Sequence, residues 1–254
     1  LLADYVAKTF ESPIERILRV VPDDVREKIS PLSKKKLYKT LYKILEKKVK
    51  WASRTLYPKF RWLNSPVIHH VGVTVTGFFG GLGGELALVP ELGVSTFLML
   101  RSIASIAASH GEDLSKLRTR LECISIFAMG SPKKGSSDRG QGQYYVTRVS
   151  LMQAIDKAAE YIGTKGFSRT APAVTSFIQT IVDRFGVVVG EKLAVQTVPI
   201  IGGVSAAVIN NLFMDYFNKV ASAHFYIKFL ERKYGQQMVR NAYFKCSPMN
   251  NNKI

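Results

Sequence analysis

The clearest hydrophobic pattern runs from Ser33 to Tyr57, where Leu37, Leu41, Ile44, Leu45 and Val49 recur near helical spacing. Lys34, Lys35, Lys36, Lys39, Lys43, Lys47, Lys48 and Lys50 fill much of the remainder, and Glu46 is the single acid. Pro31 and Pro58 bracket the segment. A cationic amphipathic helix is therefore predicted. The pattern fits a solvated lysine face over an ordinary core stripe, and it fits an interfacial helix. Tyr38, Tyr42, Trp51, Tyr57, Phe60 and Trp62 tilt the reading toward the interface, because amphipathic rings settle at headgroup level.

Ser65 to Gly84 is a different pattern, with no Lys, Arg, Asp or Glu and with glycine at 72, 77, 80, 81, 83 and 84. About 20 apolar residues would cross a bilayer as a helix, and glycines three or four apart let two helices approach closely. The β-branched stretches and His69-His70 make a poor simple span, so the segment reads as a buried helical hairpin, with insertion as the alternative.

Further helices are predicted for Gly93 to Ser109, closed by His110-Gly111, and for Ser115 to Met129, stopped by Gly130 and Pro132. Ser131 to Gln143 lacks periodicity and reads as an exposed loop. Tyr144 to Ile162 and Pro172 to about Gly186 read as helices, with proline suited to a first turn. Leu193 to Met214 is an uncharged run long enough to span a membrane, yet Gln196, Pro199, Gly202, Gly203, Asn210 and Asn211 are costly in lipid unless satisfied internally. The last helix, roughly Val204 to Tyr234, ends in Lys228, Arg232 and Lys233 with Gly235 as its stop. The tail after Cys246 is polar and expected to fray.

An internal echo links the two apolar regions. Gly84-Glu85-Leu86-Ala87 leading to Val89-Pro90 and Gly93-Val94-Ser95 is matched by Gly190-Glu191-Lys192-Leu193-Ala194 leading to Val198-Pro199 and Gly202-Gly203-Val204-Ser205. Each copy precedes a long apolar helix. The unit reads as helix, proline-glycine turn, helix. The predicted fold is all-α: a helical bundle with two glycine/proline-turned apolar hairpins related by this repeat, with Gly77, Gly80, Gly81, Gly84, Gly202 and Gly203 as packing glycines.

Charge changes the picture. The 254 residues carry 36 Lys and Arg against 19 Asp and Glu, a net +17, while the mean hydropathy is +0.04. Nucleic acid, anionic lipid and an acidic protein all suit such a charge. Cations added to an oily body favour lipid. Two cysteines, Cys123 and Cys246, support neither a disulfide framework nor structural zinc and point to a reducing compartment. The chain opens at Leu1 rather than Met, which leaves room for a preceding piece and makes signal peptides unreadable.

Candidate chemistry is thin. Glu85 and Glu191 hold matching places in the repeat and could form a carboxyl pair, but the plainer reading makes them helix-end charges paired with Arg101 or Lys192. His69, His70, His110 and His224 form no HExxH or HxH spacing, so no metal is expected. Asp215 and His224 lie nine apart on one helix, hence on different faces. Phosphate-loop and serine-elbow motifs are absent, and no helix-turn-helix, RNA-binding or zinc-finger pattern supports specific nucleic-acid binding.

Several stretches resemble the EcsC family. They are Gly77-Phe78-Phe79-Gly80-Gly81-Leu82-Gly83-Gly84, Pro90 leading into Leu98-Met99-Leu100-Arg101-Ser102-Ile103, Tyr144-Tyr145-Val146-Thr147-Arg148, Val198 to Gly203, and Asp215-Tyr216-Phe217 to His224-Phe225. The resemblance covers roughly Ser65 to Tyr243 and leaves the basic helix outside it. It implies a bacterial protein from a transporter operon, with a role near membrane transport or secretion and no defined activity.

The sequence reading thus has three parts: a basic helical segment at 1–64, an EcsC-like helical domain at 65–245 and a polar tail at 246–254. The expected function is non-enzymatic attachment to anionic lipid at the cytoplasmic face, peripheral or partly inserted, with Lys34 to Lys50 and Trp51 as contacts, no cofactor, and a membrane protein as a second class of partner. A hydrolase of lipid or envelope material using Glu85, Glu191, Asp215 and His224 is the alternative, beside a pore-forming effector.

Overall fold

A computed structural model describes residues 34, 35, 37–46, 84–130, 142–197 and 206–245, with backbone only at 84–92, 142–143, 191, 193–197 and 206–207. Seven helices and no strand occur among them: α1 at 34–46, in which 36 is not described, α2 Gly84–Ser109, α3 Leu117–Met129, α4 Gly142–Lys165, α5 Pro172–Thr197, α6 Ala206–Tyr234 and α7 Gln236–Lys245. The all-α expectation holds. Ser65 to Gly83, the 131–141 stretch, Pro199, Gly202, Gly203 and the tail lie outside the described residues.

The short helix α3 is the centre. Every residue from Leu121 to Met129 is buried, because α2, α4, α5 and α6 all pack on it. A helix enclosed on all sides can be apolar all round, and Leu121, Ile124, Ile126 and Phe127 are. Phe127 stacks on Phe185 of α5 at 4.5 Å between ring centres and meets Phe217 of α6 edge-on at 5.4 Å. Gly130 caps the helix and has no room for a side chain, since a Cβ there would stand 2.8 Å from the Phe217 ring. The Tyr216 hydroxyl donates to the Gly130 carbonyl at 2.5 Å.

The α1 stripe is a core element. Leu37, Leu41, Tyr42, Ile44 and Leu45 are buried in the same cluster as α3, α5 and α6, while Lys35, Lys39 and Lys43 are exposed. Burial of each large apolar side chain contributes about 1.5–3 kcal/mol, which fixes the helix to the body. Tyr42, expected at headgroup level, is instead buried, with its hydroxyl donating to the Arg169 carbonyl at 3.1 Å. Its ring belongs to the hydrophobic stripe, and the Arg169 carbonyl at the rim satisfies its hydroxyl.

Two sequence expectations need correction. Helix α2 runs through Pro90 and Gly93 without reversal. Proline at the seventh position removes one backbone bond, at about 3 kcal/mol, and packing of α2 along α6 offsets that. Helix α5 continues past Gly186 to Thr197, since buried Phe185, Val188 and Val189 outweigh the glycine penalty of about 1 kcal/mol. The uncharged run Leu193 to Met214 is divided between α5 and α6, in line with a last helix predicted from about Val204.

Gly111 and Gly235 adopt φ +80 and +87 and close α2 and α6 as expected. After Gly235 the chain re-enters a helix that sequence periodicity did not reveal. α7 buries only Val239 and Tyr243. One described helical stretch, Pro172–Gly190, is long and apolar enough to cross a membrane, yet it also supplies Phe177, Ile178, Ile181 and Phe185 to the core.

Candidate functional site

A buried polar network ties α3, α4 and α6 together. Helix α6 presents His224, Lys228 and Arg232 at i, i+4 spacing, with Glu231 three residues after Lys228, so the four share one face. Helix α3 supplies Glu122, α4 supplies Tyr144 and Arg148, and the α2–α3 connection supplies Glu112.

At its centre, His224 is 0% exposed. Its Nε2 lies 3.0 Å from Glu122 Oε1, and its Nδ1 lies 3.0 Å from the Tyr144 hydroxyl. Lys228 donates to Glu122 at 2.6 Å and to Glu112 at 2.8 Å. Arg232 pairs with Glu112 and also donates to the His110 carbonyl. Beside this, Arg148 makes a two-pronged pair with Glu231 at 2.7 and 2.6 Å.

Burial opposes the charged form of both central partners. For Glu122 the His224 hydrogen bond and the Lys228 ammonium outweigh burial and bring the carboxyl to about 2. For His224 burial prevails, and its pKa falls below the ordinary imidazole value. The imidazole is therefore neutral at pH 7, and Lys228 is the cation that keeps Glu122 ionised there. A carboxylate only accepts, so Nε2 carries the proton and Nδ1 accepts from Tyr144. Burial raises the Tyr144 hydroxyl far above its ordinary value.

The hydroxyl, imidazole and carboxylate stand in the order that activates a nucleophile. Enclosure removes that capacity: the phenol keeps its proton, and His224 and Glu122 are 0% and 1% exposed. The arrangement locks three helices. Among the described residues no group of three or more His, Cys, Asp or Glu could hold a metal ion.

The sequence candidates fall elsewhere, apart from His224. Asp215 is exposed while His224 is sealed, so the structure does not bring them together. Glu85 and Glu191 sit on α2 and α5, with side chains outside the description, as is the partnership proposed for them. Lys192 is 2% exposed with its ammonium 5.7 Å from the Phe213 ring centre, and Arg101 is half-buried. Lys35, Lys39 and Lys43 face solvent, whereas the stem of Lys34 lies over Gly186. Lys36, Lys47, Lys48, Lys50, Trp51, His69, His70, Gly77, Gly80 and Gly81 lie outside the described residues, and Gly84 is the first residue of α2.

Sequence reasoning missed Glu122 and Tyr144 as partners of His224, and Glu112 as the partner of Lys228 and Arg232. One signal was available: Glu122 is the only acid within an otherwise apolar helical run, and a carboxylate enclosed there needs a cation.

The EcsC protein family model matches residues 2–230. No curated protein and no solved structure matches the chain. The match begins well before Lys34, so the basic helix, expected to lie outside the family pattern, falls within it; α7 lies beyond its end. With nine-tenths of its length matched, this chain belongs to the EcsC protein family.

Proposed function

We propose that the protein is a non-enzymatic, membrane-associated protein whose Lys34 to Lys50 segment binds anionic lipid at the cytoplasmic face, in a role accessory to membrane transport or secretion. The observation that carries this reading is the division of labour on α1. Its apolar stripe is committed to the core, so Lys35, Lys39 and Lys43 project outward from a fixed platform. Residues 31–64 hold eleven Lys and Arg against Glu46 alone. Each such cation near an anionic surface contributes about 1 kcal/mol, so several acting together give firm, salt-sensitive attachment.

The repeat belongs to the same proposal. Helix α2 contains the first copy and α6 follows the second, and the two helices pack along each other. Their C-terminal ends lie together: the His110 and Tyr226 ring centres are 6.2 Å apart. A pseudo-twofold axis parallel to the helices would require that arrangement.

Flotation of the full chain with phosphatidylcholine vesicles, with and without phosphatidylglycerol, tests the reading. Recovery on anionic vesicles at low salt and its loss at high salt are expected. Equal recovery on both vesicle types at both salt concentrations would exclude electrostatic attachment.

A further inference from the structure

The end of α6 together with α7 carries a second set of outward cations. No Asp or Glu follows Glu231, while Arg232, Lys233, Arg240, Lys245 and Lys253 all lie in that stretch. Arg232 is drawn inward to Glu112, and Glu231 is consumed by Arg148. Lys233, Arg240 and Lys245 are exposed, and among the described residues none of them has an acid within ion-pair distance.

Large apolar side chains are interleaved with these cations. Met238 is 63% exposed, Tyr234 50% and Phe244 39%. The Lys233 ammonium lies 5.0 Å from the Tyr234 ring centre, and the Arg240 guanidinium lies 5.9 Å from both the Tyr145 and Phe244 ring centres. Only Val239 and Tyr243 of α7 are buried; Arg240 and Phe244 touch the Tyr145 ring from its edge, and its other residues face water. A thin anchor with apolar and cationic groups on the outer face suits a helix lying in a headgroup layer, where rings and the Met238 side chain enter the acyl boundary and cations meet phosphate. Nucleic acid would reward the cations but not the exposed aliphatic chain.

We infer that the tip formed by the end of α6 and α7 is a second lipid-contacting surface, which binds the anionic headgroups of a membrane through Lys233, Arg240 and Lys245 and inserts Met238 and Phe244. The inference rests on membrane association being the protein's role. It does not rest on α1 being the contact, and it concerns a segment beyond the family match.

The test uses the full chain and the same two vesicle compositions, with flotation for affinity and hydrogen exchange of the 233–245 backbone for location. Lys233→Glu with Arg240→Glu and Lys245→Glu is expected to lower partitioning onto anionic vesicles by on the order of a hundredfold. Met238→Ser with Phe244→Ser is expected to lower it several-fold and to make the remainder more salt-sensitive. Anionic vesicles should slow exchange across 233–245 in the unaltered chain. If charge reversal at Arg240 lowers the unfolding temperature through its ring contacts, Lys233→Glu with Lys245→Glu carries the test.

The outcomes separate the two readings. Unchanged partitioning and unchanged exchange in these variants, with loss of binding in Lys35→Glu/Lys39→Glu/Lys43→Glu, would overturn the inference and leave the α1 reading standing. Loss only in the tip variants would support the inference and overturn the α1 reading. No binding by the unaltered chain overturns both. Protection of 233–245 by duplex DNA but not by anionic vesicles also overturns the inference, in favour of nucleic acid.

Discussion

The buried network and the two outward surfaces handle charge in opposite ways. In the network, Glu112, Glu122 and Glu231 meet Lys228, Arg148 and, at its solvent edge, Arg232, three carboxylates against three cations. Outside, on α1 and at the α6–α7 tip, Lys35, Lys39, Lys43, Lys233, Arg240 and Lys245 are exposed, and the nearby acid Glu46 is paired with Arg169. Low dielectric makes an unbalanced buried charge prohibitively costly, whereas water tolerates excess charge at the surface. Among the described residues, the cations of α1 and of the α6–α7 tip thus lie where a partner can reach them.

Removing a member of the inner network should break the balance most severely. Glu122→Ala strips Lys228 of one carboxylate and His224 of its acceptor, and a loss of about 3–5 kcal/mol in unfolding free energy is expected from denaturant titration. Replacing Glu122 and Lys228 together, by Leu and Met, should recover much of that loss, because no buried charge is then left alone. A double variant as unstable as Glu122→Ala would show that packing, not charge balance, governs the site.

Acid should sharpen the contrast next. The folded pKa of His224 lies below its unfolded value, so the unfolded chain binds the extra proton and stability declines as pH drops below about 6.5. Glu122, at about 2 in the fold against an ordinary 4.5, adds a second loss as pH falls from about 4.5 toward 2. Thermal unfolding across pH 7 to 3 checks both windows, and a His224→Phe chain should lack the first. A flat profile through pH 6 would contradict the neutral, sealed imidazole.

Smaller effects are expected toward the surface. Gly130→Ala forces its methyl against the Phe217 ring and should cost about 1–3 kcal/mol. Arg118→Ala removes an exposed pair with Asp156 and should cost less than about 1 kcal/mol. Reversing Lys35, Lys39 and Lys43 should leave the unfolding temperature nearly unchanged while altering vesicle binding. A large stability loss in that last variant would mean that the α1 lysines support the fold rather than a partner.

Local signals made most of the architecture legible. The 3.6-residue stripe of α1, the glycine stops at Gly111 and Gly235 and the proline start at Pro172 all appear where periodicity and capping placed them. They are legible because each depends on neighbours a few residues away. The site was less so. His224 stood out only as a rare residue type, and its partners Tyr144 and Glu122 lie 80 and 102 residues away in the chain.

By itself the sequence determined an all-helical body with an excess of positive charge and an apolar stripe on α1, since composition and short-range spacing suffice for those properties. Only the tertiary structure decided which charges are spent inside. It carried α2 through Pro90, enclosed Glu122 beside Lys228 and His224, and left Lys39 and Lys245 to solvent. The physical reason is that desolvation and charge pairing depend on what surrounds a group in space, and the packing of helices distant in sequence sets those surroundings.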